Sequence, residues 1–566
     1  MIDYKMKVAE SFCSVVKELT IDEVYQIVEI PPNSQMGDFA VPCFRLAKIM
    51  RKSPPMIAES IVKDLKTNEF FESIVNEGPY VNFFVSKSYF AQDVMQTVVK
   101  KGKNYGSQNI GQGKNVIVEF SSPNIAKPFH IGHIRTTVIG NVLNNIYKFM
   151  GFNTIAINHL GDYGTQFGML ISAYKKWGDR EAIEKNPIPE LLKLYIHFNA
   201  EAEKDPALQE EARYWFKELE TGNEEAIELW KWIKEVSLKE FNRVYDLLNI
   251  KFDSFAGESF YSDKMPKVIE KLIEENLLVD SRGAKIVDLE PYNMPSPLIQ
   301  KSDGSTLYIT RDIAAAIYRK ETYDFYKNIY VVGSQQNLHF QQWIKIVELM
   351  GYEWAKDCEH VSFGMVALEE GTLSTRKGRV VFLEDVLKKA VEKTLEVIND
   401  RNPGLENKEE VARKVGIGAV LFQELYNNRI KDYVFSWDKT LSFEGETGPY
   451  TQYTYARTCS ILGKFGKEVE AKVDFSLLTD EKSFEVIKAL SGFSDVIMSA
   501  MEKNEPFYIT RYVVDLAQKF NRFYNQMPIL TDDEALTQSR ILLTKCVNIT
   551  IKNGLNLLGI ETPEKM

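Results

Sequence analysis

The hydrophobic pattern in the first third of the chain predicts a unit of alternating strands and helices. The apolar run NVIVEF at 115–120 predicts a strand. Ile134, Val138 and Val142 recur every fourth residue, which predicts an amphipathic helix. NTIAINHLGD follows as a second strand that ends in a glycine loop. Strand, helix and strand in this order predict a parallel βαβ unit, whose ligands lie beyond the carboxyl ends of its strands.

The pattern differs on either side of this unit and predicts three domains. Residues 1–108 combine helical spacing in PMIAESIVKDL with a strand-like YVNFFVS, which predicts an α+β module. Residues 109–410 form the α/β domain, and a charged helical stretch at about 175–295 interrupts it as an insertion. The α/β pattern resumes at LYITRDIAAAIYRK, and HVSFGMVAL predicts one more strand. Residues 411–566 are almost wholly helical and predict a helical bundle.

Composition allows large cores and restricts how a polyanion is bound. The 566 residues are 44% hydrophobic and 12% aromatic, which is enough to bury several cores. The net charge of −10 argues against general adhesion to nucleic acid. A nucleic-acid partner is therefore expected to meet a local basic patch.

Cysteine usage predicts a reducing compartment, and hydropathy predicts a chain without membrane helices. The five cysteines are scattered without a C-x-x-C pair, so neither a structural zinc site nor a disulfide framework is expected. The sequence has no signal peptide and no apolar run of the length that a membrane helix needs. We expect a cytoplasmic protein that does not associate with a membrane.

IAKPFHIGHIRTT at 125–137 carries two of the six histidines, His130 and His133. Two histidines begin a metal site, but no Cys/His cluster and no metalloprotease-type Glu stand nearby. A second alternative is a pair buried in a core. The position between a strand and a helix favours phosphate binding, because free backbone N–H groups and the helix dipole attract anions there. Gly132 would let a nucleotide approach closely, and both imidazoles would donate hydrogen bonds to its phosphates.

HIGH at 130–133 resembles the first signature of class I aminoacyl-tRNA synthetases. Longer strings are similar to the arginyl-tRNA synthetase family over essentially the whole chain: VEFSSPNIAKPFHIGH, NHLGDYGTQFG, GDFAVPCFRLAK, YITRDIAAAIYR, VVGSQQNLHF and TGPYTQYTYAR. The resemblance implies a Rossmann-like catalytic core, an N-terminal module that contacts tRNA and a C-terminal anticodon-binding bundle. It implies ATP-dependent activation of L-arginine to arginyl-adenylate and transfer of arginine to the 3′ end of tRNA(Arg).

The second class I signature departs from its usual form. The common Lys-Met-Ser-Lys-Ser loop is replaced by TLSTR at 372–376, without either lysine. Ser374, Arg376 and Lys377 are our candidates for the ATP phosphates in the basic loop at 372–379. The resemblance implies that Lys127 substitutes for the missing lysine. A solvated basic turn, and a Lys127 without a catalytic role, remain the alternatives.

The expected arginine pocket follows partly from charge. A guanidinium is matched best by carboxylates. Glu119 ends an apolar strand, and Asp312 is predicted in the first turn of a helix capped by Thr310. Pairing with the helix dipole is the alternative for Asp312, and a turn residue is the alternative for Asp162. The resemblance implies substrate contacts at Glu119, Asn124, Tyr308, Asp312 and Gln336. Ser122 is expected beside Asn124 at the substrate's α-ammonium and carboxylate end. His159 and Asp162 are expected to line the same crevice because of their position.

The remaining expectations concern ATP and tRNA. Met365 and Val366 are predicted to form an adenine slot, with a plain core strand as the alternative, and Gly161 is a further ATP candidate. Mg²⁺ is expected to accompany ATP through phosphate oxygens. Tyr450, Tyr453 and Arg457 recur on one helix face and are candidates for stacking anticodon bases. We expect a monomer.

Two other functions are compatible with the class I pattern. One is a class I synthetase of different specificity, against which the carboxylates Glu119 and Asp312 argue. The other is a synthetase-like tRNA-binding protein without catalysis, against which the complete HIGH motif and the basic loop argue.

Overall fold

The computed structural model describes residues 1–302, 307–368 and 381–566. The strands are β1 (Phe39–Pro42), β2 (Phe71–Glu77), β3 (Tyr80–Val85), β4 (Asn115–Glu119), β5 (Asn153–Ile157), β6 (Leu278–Ser281), β7 (Ala284–Val287), β8 (Leu298–Gln300), β9 (Lys327–Gly333), β10 (Cys358–Phe363), β11 (Val366–Leu368) and β12 (Tyr433–Phe435).

Helices surround these strands and make up most of the C-terminal third. They are α1 (Tyr4–Val15), α2 (Ile21–Ile27), α3 (Phe44–Met50), α4 (Pro54–Asp64), α5 (Lys87–Lys101), α6 (Ile134–Phe149), α7 (Thr165–Trp177), α8 (Arg180–Lys185), α9 (Pro187–Ala202), α10 (Ala207–Thr221), α11 (Glu224–Leu247), α12 (Met265–Glu274), α13 (Tyr308–Tyr323), α14 (Asn337–Leu349), α15 (Leu383–Arg401), α16 (Lys408–Tyr426), α17 (Trp437–Thr440), α18 (Gly448–Phe465), α19 (Glu481–Ser491), α20 (Phe493–Glu502), α21 (Phe507–Gln526) and α22 (Glu534–Leu557).

The chain divides into two compact units. The first unit comprises residues 1–106, 454–494 and 515–553, and the second comprises 107–453, 495–514 and 554–566. In the first unit, β1, β3 and β2 form an antiparallel sheet in that order. Helices α1 and α4 pack on this sheet through a core that includes Phe12, Ile57 and Phe83.

The second unit is built on a parallel sheet in the order β10-β9-β4-β5. The chain passes from β4 through α6 to β5 and returns on the other side of β4 as β9, so the strand order reverses between β4 and β9. A crevice forms at the carboxyl ends of strands where such a reversal occurs. The predicted βαβ unit is confirmed, and its first strand and helix deliver HIGH to this crevice.

Two sequence predictions about secondary structure were wrong. The insertion is helical only as far as α12, and an antiparallel sheet in the order β6-β7-β8 follows. Arg282 and Gly283 both have positive φ (53° and 84°), as a two-residue hairpin requires. HVSFGMVAL is two strands and not one, because the chain bends at Gly364 and β11 then pairs with β12 instead of extending β10.

The C-terminal helices contribute large apolar side chains to the interior. Leu516, Phe520 and Phe523 recur on one face of α21 and are fully buried, as a core stripe predicts. No helix in the described ranges has the length and apolarity that a membrane span requires.

Candidate active site

The two histidines of the HIGH motif form a reciprocal cap on one short turn. His130 Nδ1 accepts a hydrogen bond from the Gly132 N–H at 3.0 Å, and His133 Nδ1 accepts one from the His130 N–H at 3.2 Å. The ring centroids are 4.0 Å apart. Phe129 stacks on the His133 ring at 5.2 Å, with the two planes 8° from parallel. The turn leads directly into α6.

These hydrogen bonds fix the protonation of both rings. A neutral imidazole that accepts at Nδ1 carries its proton on Nε2, so each ring presents Nε2–H as a donor. Burial lowers the pKa of His130, and burial together with the His130 charge lowers the pKa of His133 to about 3. Both histidines are therefore neutral hydrogen-bond donors near pH 7.

The segment between β4 and the histidine turn has an unusual backbone. Ser121, Ser122 and Ala126 have positive φ values of 71°, 45° and 60°. Such conformations are costly for residues with a side chain and cluster at ligand sites. The Ser121 N–H donates to Thr136 Oγ1 at 3.0 Å, which holds the bend against α6. The half-buried Lys127 ends this segment, and its charge contributes to the lowered pKa of His133.

Asn124 and Gly161 lie against each other where the segments after β4 and β5 meet. The Ile125 N–H donates to the Gly161 carbonyl, and the Gly161 N–H donates to the Pro123 carbonyl, both at 3.1 Å. A Cβ at position 161 would lie 2.2 Å from Asn124 Oδ1. Gly161 therefore positions the Asn124 side chain, and its expected contact with ATP stays a prediction.

Three carboxylates of the crevice each have a basic partner. Glu119 contacts Arg319 Nη1 at 2.5 Å, and Asp162 contacts Lys234 Nζ at 2.5 Å. Glu258 contacts Arg311 Nη1 at 2.9 Å. Burial raises the pKa of Glu258 to about 7, with Arg311 opposing the shift and the Asp312 and Asp162 charges adding to it. Sequence reasoning missed the three cations and Glu258.

Arg319 is the least expected member of this group. Its side chain is fully buried, and its guanidinium lies 5.8 Å from the Tyr261 ring centroid and 5.5 Å from that of Tyr330. Nη2 lies 3.4 Å from His159 Nδ1, and the half-buried His159 ring stacks on Tyr261. Arg319 follows Asp312 by seven residues in an apolar helix, and this spacing was the available signal.

The Asp162 side chain is hydrogen-bonded to other residues of the chain. It is fully buried, and its carboxylate accepts from the Ser259 N–H at 2.9 Å and from the Ser259 hydroxyl at 2.7 Å, in addition to Lys234. Its carbonyl accepts from Trp230 Nε1 at 2.7 Å. Asp162 therefore ties the loop after β5 to α11.

Asp312 differs from the other acids because it is only partly buried and contacts His339 Nε2 at 2.6 Å. No Lys or Arg in the described ranges forms a salt bridge with it. Its predicted setting was wrong: α13 begins at Tyr308 after Leu307, which puts Asp312 in the second turn. Thr310 does not cap the helix, because its hydroxyl donates to the Ile299 carbonyl at 3.1 Å.

Other predicted arginine contacts are less enclosed. Tyr308 is 63% exposed, and its ring centroid lies 5.7 Å from the Arg311 guanidinium. Gln336 is exposed at the start of α14. The buried Ser122 hydroxyl has no hydrogen-bond partner within the described residues. The structure therefore brings Glu119, His159, Asp162 and Asp312 into one cluster and leaves Tyr308 and Gln336 at its surface.

The predicted adenine slot already makes several backbone contacts. The Met365 N–H donates to Asp432 Oδ1 at 2.5 Å, and the Met365 carbonyl accepts from the Tyr433 N–H at 3.1 Å. The Met365 side chain is 47% exposed and Val366 is buried. Adenine recognition here would use the second carbonyl lone pair or the Met365 side chain, and it stays a prediction.

The remaining predicted residues lie outside this cluster or outside the described residues. Ser374, Arg376 and Lys377 belong to the undescribed segment 369–380. In α18, Tyr453 is exposed and Tyr450 is half-buried. Arg457 donates to Asn521 Oδ1 and lies 5.0 Å from the Tyr524 ring centroid.

The described residues contain no group of three or more His, Cys, Asp or Glu that could hold a metal ion. The histidine turn presents N–H donors, and three nearby carboxylates already have cations. Mg²⁺ prefers oxygen ligands and retains water. The described side chains therefore do not fit a protein-held Mg²⁺.

Comparison with known families identifies this arrangement. A family model described as "tRNA synthetases class I (R), catalytic domain" matches residues 93–437, which is more than half of the chain. The chain belongs to the class I arginyl-tRNA synthetase family. The "Arginyl tRNA synthetase N terminal domain" matches 6–85, and the "DALR anticodon binding domain" matches 451–566.

Individual arginyl-tRNA synthetases agree over the full length. The chain is 64% identical to an arginine–tRNA ligase of Halothermothrix orenii and 58% identical to one of Clostridioides difficile, and each alignment covers 100% of both chains. The Thermus thermophilus arginyl-tRNA synthetase structure has a TM-score of 0.80 at 26% identity, covering 99% of this chain and 100% of that one. The protein is an ATP-dependent arginine–tRNA ligase with a Rossmann-like core, an N-terminal module and a C-terminal helical domain.

Proposed function

We propose that this ligase activates arginine at the carboxyl ends of β4 and β9, with His130 and His133 as the phosphate donors. The observation that carries the proposal is the reciprocal cap, which leaves both Nε2–H groups as donors. The arginine carboxylate attacks the α-phosphate of ATP, arginyl-adenylate forms and pyrophosphate leaves. Negative charge builds on the phosphates during this step, and preoriented donors stabilise it. No side chain acts as a nucleophile.

Cations supplement these neutral donors. We assign this role to Lys127, Arg376 and Lys377. Ser374 contacts the nucleotide next to them. Support for Lys127 comes from its electrostatic effect on His133. Mg²⁺ arrives bound to the phosphate oxygens of ATP. Gly132 and Gly161 leave room for the nucleotide, and Met365 and Val366 meet its adenine.

Asp312 is the proposed acceptor of the substrate guanidinium. Glu119, Asp162 and Glu258 each have a Lys or Arg partner, whereas the ionisable partner of Asp312 among the described residues is His339. A substrate with a guanidinium supplies the missing positive charge and fits a carboxylate with two parallel hydrogen bonds. An uncharged amino acid would leave Asp312 with His339 and without the two guanidinium hydrogen bonds.

The other residues of the arginine site have supporting roles. Tyr308 and Gln336 close over the side chain of the substrate, and Asn124 and Ser122 receive its α-ammonium and carboxylate end. Glu119 and His159 line the pocket together with Arg319. Asp162 acts through Lys234 and Ser259 by holding the loop after β5 in place.

In the second step, the 2′-hydroxyl of the terminal adenosine of tRNA(Arg) loses its proton and attacks the carbonyl carbon of arginyl-adenylate, so that an ester bond forms, the bond between the acyl group and the phosphate breaks and AMP leaves. We propose boundaries of 1–108 for a module on the outer corner of the tRNA, 109–410 for catalysis and 411–566 for the anticodon. Tyr450, Tyr453 and Arg457 are the proposed anticodon contacts. The enzyme acts as a monomer in the cytoplasm, and bound tRNA is required for the first step.

Steady-state arginylation by His133→Ala tests the catalytic assignment. Loss of one preorganised donor costs about 10²–10³-fold in kcat, and we expect a loss of that size here. His197→Ala is the matched control, since His197 lies in the insertion and packs on Trp177 at 4.5 Å. Unchanged arginylation by His133→Ala would overturn the assignment.

A further inference from the structure

Arg135 follows the HIGH motif by two residues and is completely enclosed. Its side chain is 1% exposed. One nitrogen, Nη1, donates to the Gly364 carbonyl at 2.8 Å and to the Lys431 carbonyl at 2.9 Å. Its Nε lies 3.4 Å from the Glu424 carboxylate, which is equally buried. Arg135 thus joins the first turn of α6 to two segments distant in sequence.

The partners of Arg135 are themselves fixed. Glu424 accepts a hydrogen bond from the Tyr433 hydroxyl, and the Tyr433 ring centroid lies 5.3 Å from the Arg135 guanidinium. Replacement of a buried ion pair by apolar side chains is often neutral or stabilising. Stability alone therefore does not explain this pair, whereas the two hydrogen bonds of Arg135 Nη1 to the Gly364 and Lys431 carbonyls define a geometry.

The hydrogen bonds of Arg135 hold the backbone at Gly364. Its N–H donates to the Arg429 carbonyl at 2.8 Å, while its own carbonyl accepts from Arg135. A Cβ at this position would lie 2.5 Å from Asp432 Oδ1 and 2.6 Å from the Ile430 carbonyl oxygen. The bend between β10 and β11 is therefore clamped between Arg135 and residues 429–432. Met365 and Val366, the proposed adenine contacts, follow the bend directly.

The histidine turn is held from its other side as well. The Ile131 N–H donates to the Val381 carbonyl at 3.1 Å, and the Leu383 N–H donates to the Phe129 carbonyl at 2.9 Å. Unlike these two backbone hydrogen bonds, the contact between Arg135 and the Gly364 carbonyl is made by a side chain. It can therefore be altered by substitution.

We propose that Arg135 is a positioning residue that sets the separation between the phosphate donors His130 and His133 and the adenine contacts at Met365 and Val366. ATP spans both, so its transition state is stabilised only when the two groups have the correct spacing. The inference rests on the proposed function, because it uses the assignments of these four residues. Arg135 does not touch the substrate in this scheme.

Arg135→Lys tests the proposal by ATP–pyrophosphate exchange in the presence of tRNA(Arg), with rates expressed per active site. A lysine keeps the charge near Glu424, but a single ammonium does not reproduce the guanidinium fork. We expect kcat/KM for ATP to fall by about 30-fold or more, while KM for arginine changes by less than about twofold, because Asp312 is on α13. Tyr433→Phe leaves both carbonyl contacts of Arg135 intact and should give a smaller loss, of a few fold.

Arg540→Met is the matched control, since Arg540 is a buried arginine of the first unit that donates to the Pro528 carbonyl. It should leave KM for ATP and kcat per active site unchanged, even if less protein folds. Arg135→Lys with wild-type kcat and KM for ATP would overturn the inference. Equal losses in kcat/KM for ATP and for arginine, in proportion to the fraction of folded protein, would also overturn it.

His133→Ala separates the two levels of the argument. If His133→Ala loses exchange and Arg135→Lys does not, only the positioning role fails. If His133→Ala exchanges at the wild-type rate, the proposed function fails and the inference fails with it.

Discussion

The side chains of His130 and His133 are oriented by backbone amides of their own turn, and this determines what they offer a ligand. Each Nδ1 is used internally, so each Nε2–H is directed by the same hydrogen bond that caps the turn. Protonation of either ring would break the cap, in accordance with the lowered pKa of both. The residue pair therefore behaves as a fixed donor and not as a proton shuttle.

We predict that His133 stays neutral as the pH falls from 8 to 6, and that His130 has a pKa below its ordinary value. The pKa of His133 is lowered from its ordinary value to about 3, so its contribution to folding is complete above pH 6.5 and is lost as the pH falls below that value. Long-range ¹⁵N–¹H NMR of histidine-labelled protein should show Nε2-protonated neutral rings for both residues. A ring protonated at Nδ1, or titration of His133 near pH 6.5, would contradict the reciprocal cap.

In the proposed site, amino-acid selection depends on Asp312. Asp312→Asn removes the charge and keeps the shape, so it should lower kcat/KM for arginine about 10–100-fold, the value of one or two charge-assisted hydrogen bonds. KM for ATP should change little. Asp324→Asn, at the exposed end of the same helix, is the control and should match wild type. Equal kcat/KM for arginine in Asp312→Asn and wild type would remove Asp312 from the pocket.

At the scale of elements, α13 is joined to β4 by a buried ion pair. Glu119 closes the strand, and Arg319 reaches it from the fourth turn of the helix between two tyrosine rings. The pair holds Asp312, on the same helix, at a fixed position beside the strand end. Burial of either charge alone is costly because water is excluded.

Arg319→Met should therefore destabilise the second unit by about 3–5 kcal/mol, because Glu119 is left buried and unpaired. The double variant Glu119→Gln with Arg319→Met should recover a large part of that loss. The free energy of the first urea unfolding transition measures both. Lys285→Ala, which breaks an exposed pair with Asp280, should cost less than about 1 kcal/mol. A loss in the double variant as large as in Arg319→Met would show that Glu119 carries no buried charge.

Local elements followed from the sequence wherever periodicity and burial agree. Ile134, Val138 and Val142 predicted α6, and NVIVEF predicted β4, because the apolar residues that carry both patterns are buried in the structure. The bend at Gly364 and the start of α13 were missed. Gly364 is required by the approach of residues 430–432, and the Thr310 hydroxyl contacts Ile299, so both depend on contacts that no local pattern contains. Lys234 was missed for the same reason, since it lies 72 residues from Asp162, whereas Arg319 was missed although its spacing from Asp312 was a signal.

At the scale of the whole molecule, the acidic net charge and the matched family domains bear on how tRNA is bound. A chain with a net charge of −10 does not attract nucleic acid by its overall field, so binding is left to particular surfaces. The matched N-terminal domain at 6–85 and the anticodon-binding domain at 451–566 flank the catalytic match at 93–437. Arginine activation is expected to depend on this larger partner.

ATP–pyrophosphate exchange with each of the twenty amino acids, with and without tRNA(Arg), tests the central claim most directly. We predict exchange with arginine and with no other amino acid, because a guanidinium gives Asp312 two parallel charge-assisted hydrogen bonds in a cluster whose other acids have Lys or Arg partners. We also predict that exchange requires tRNA(Arg). Exchange that proceeds with a neutral amino acid as well as with arginine would contradict the proposed basis of selection, and exchange at the full rate without tRNA would contradict the dependence on tRNA.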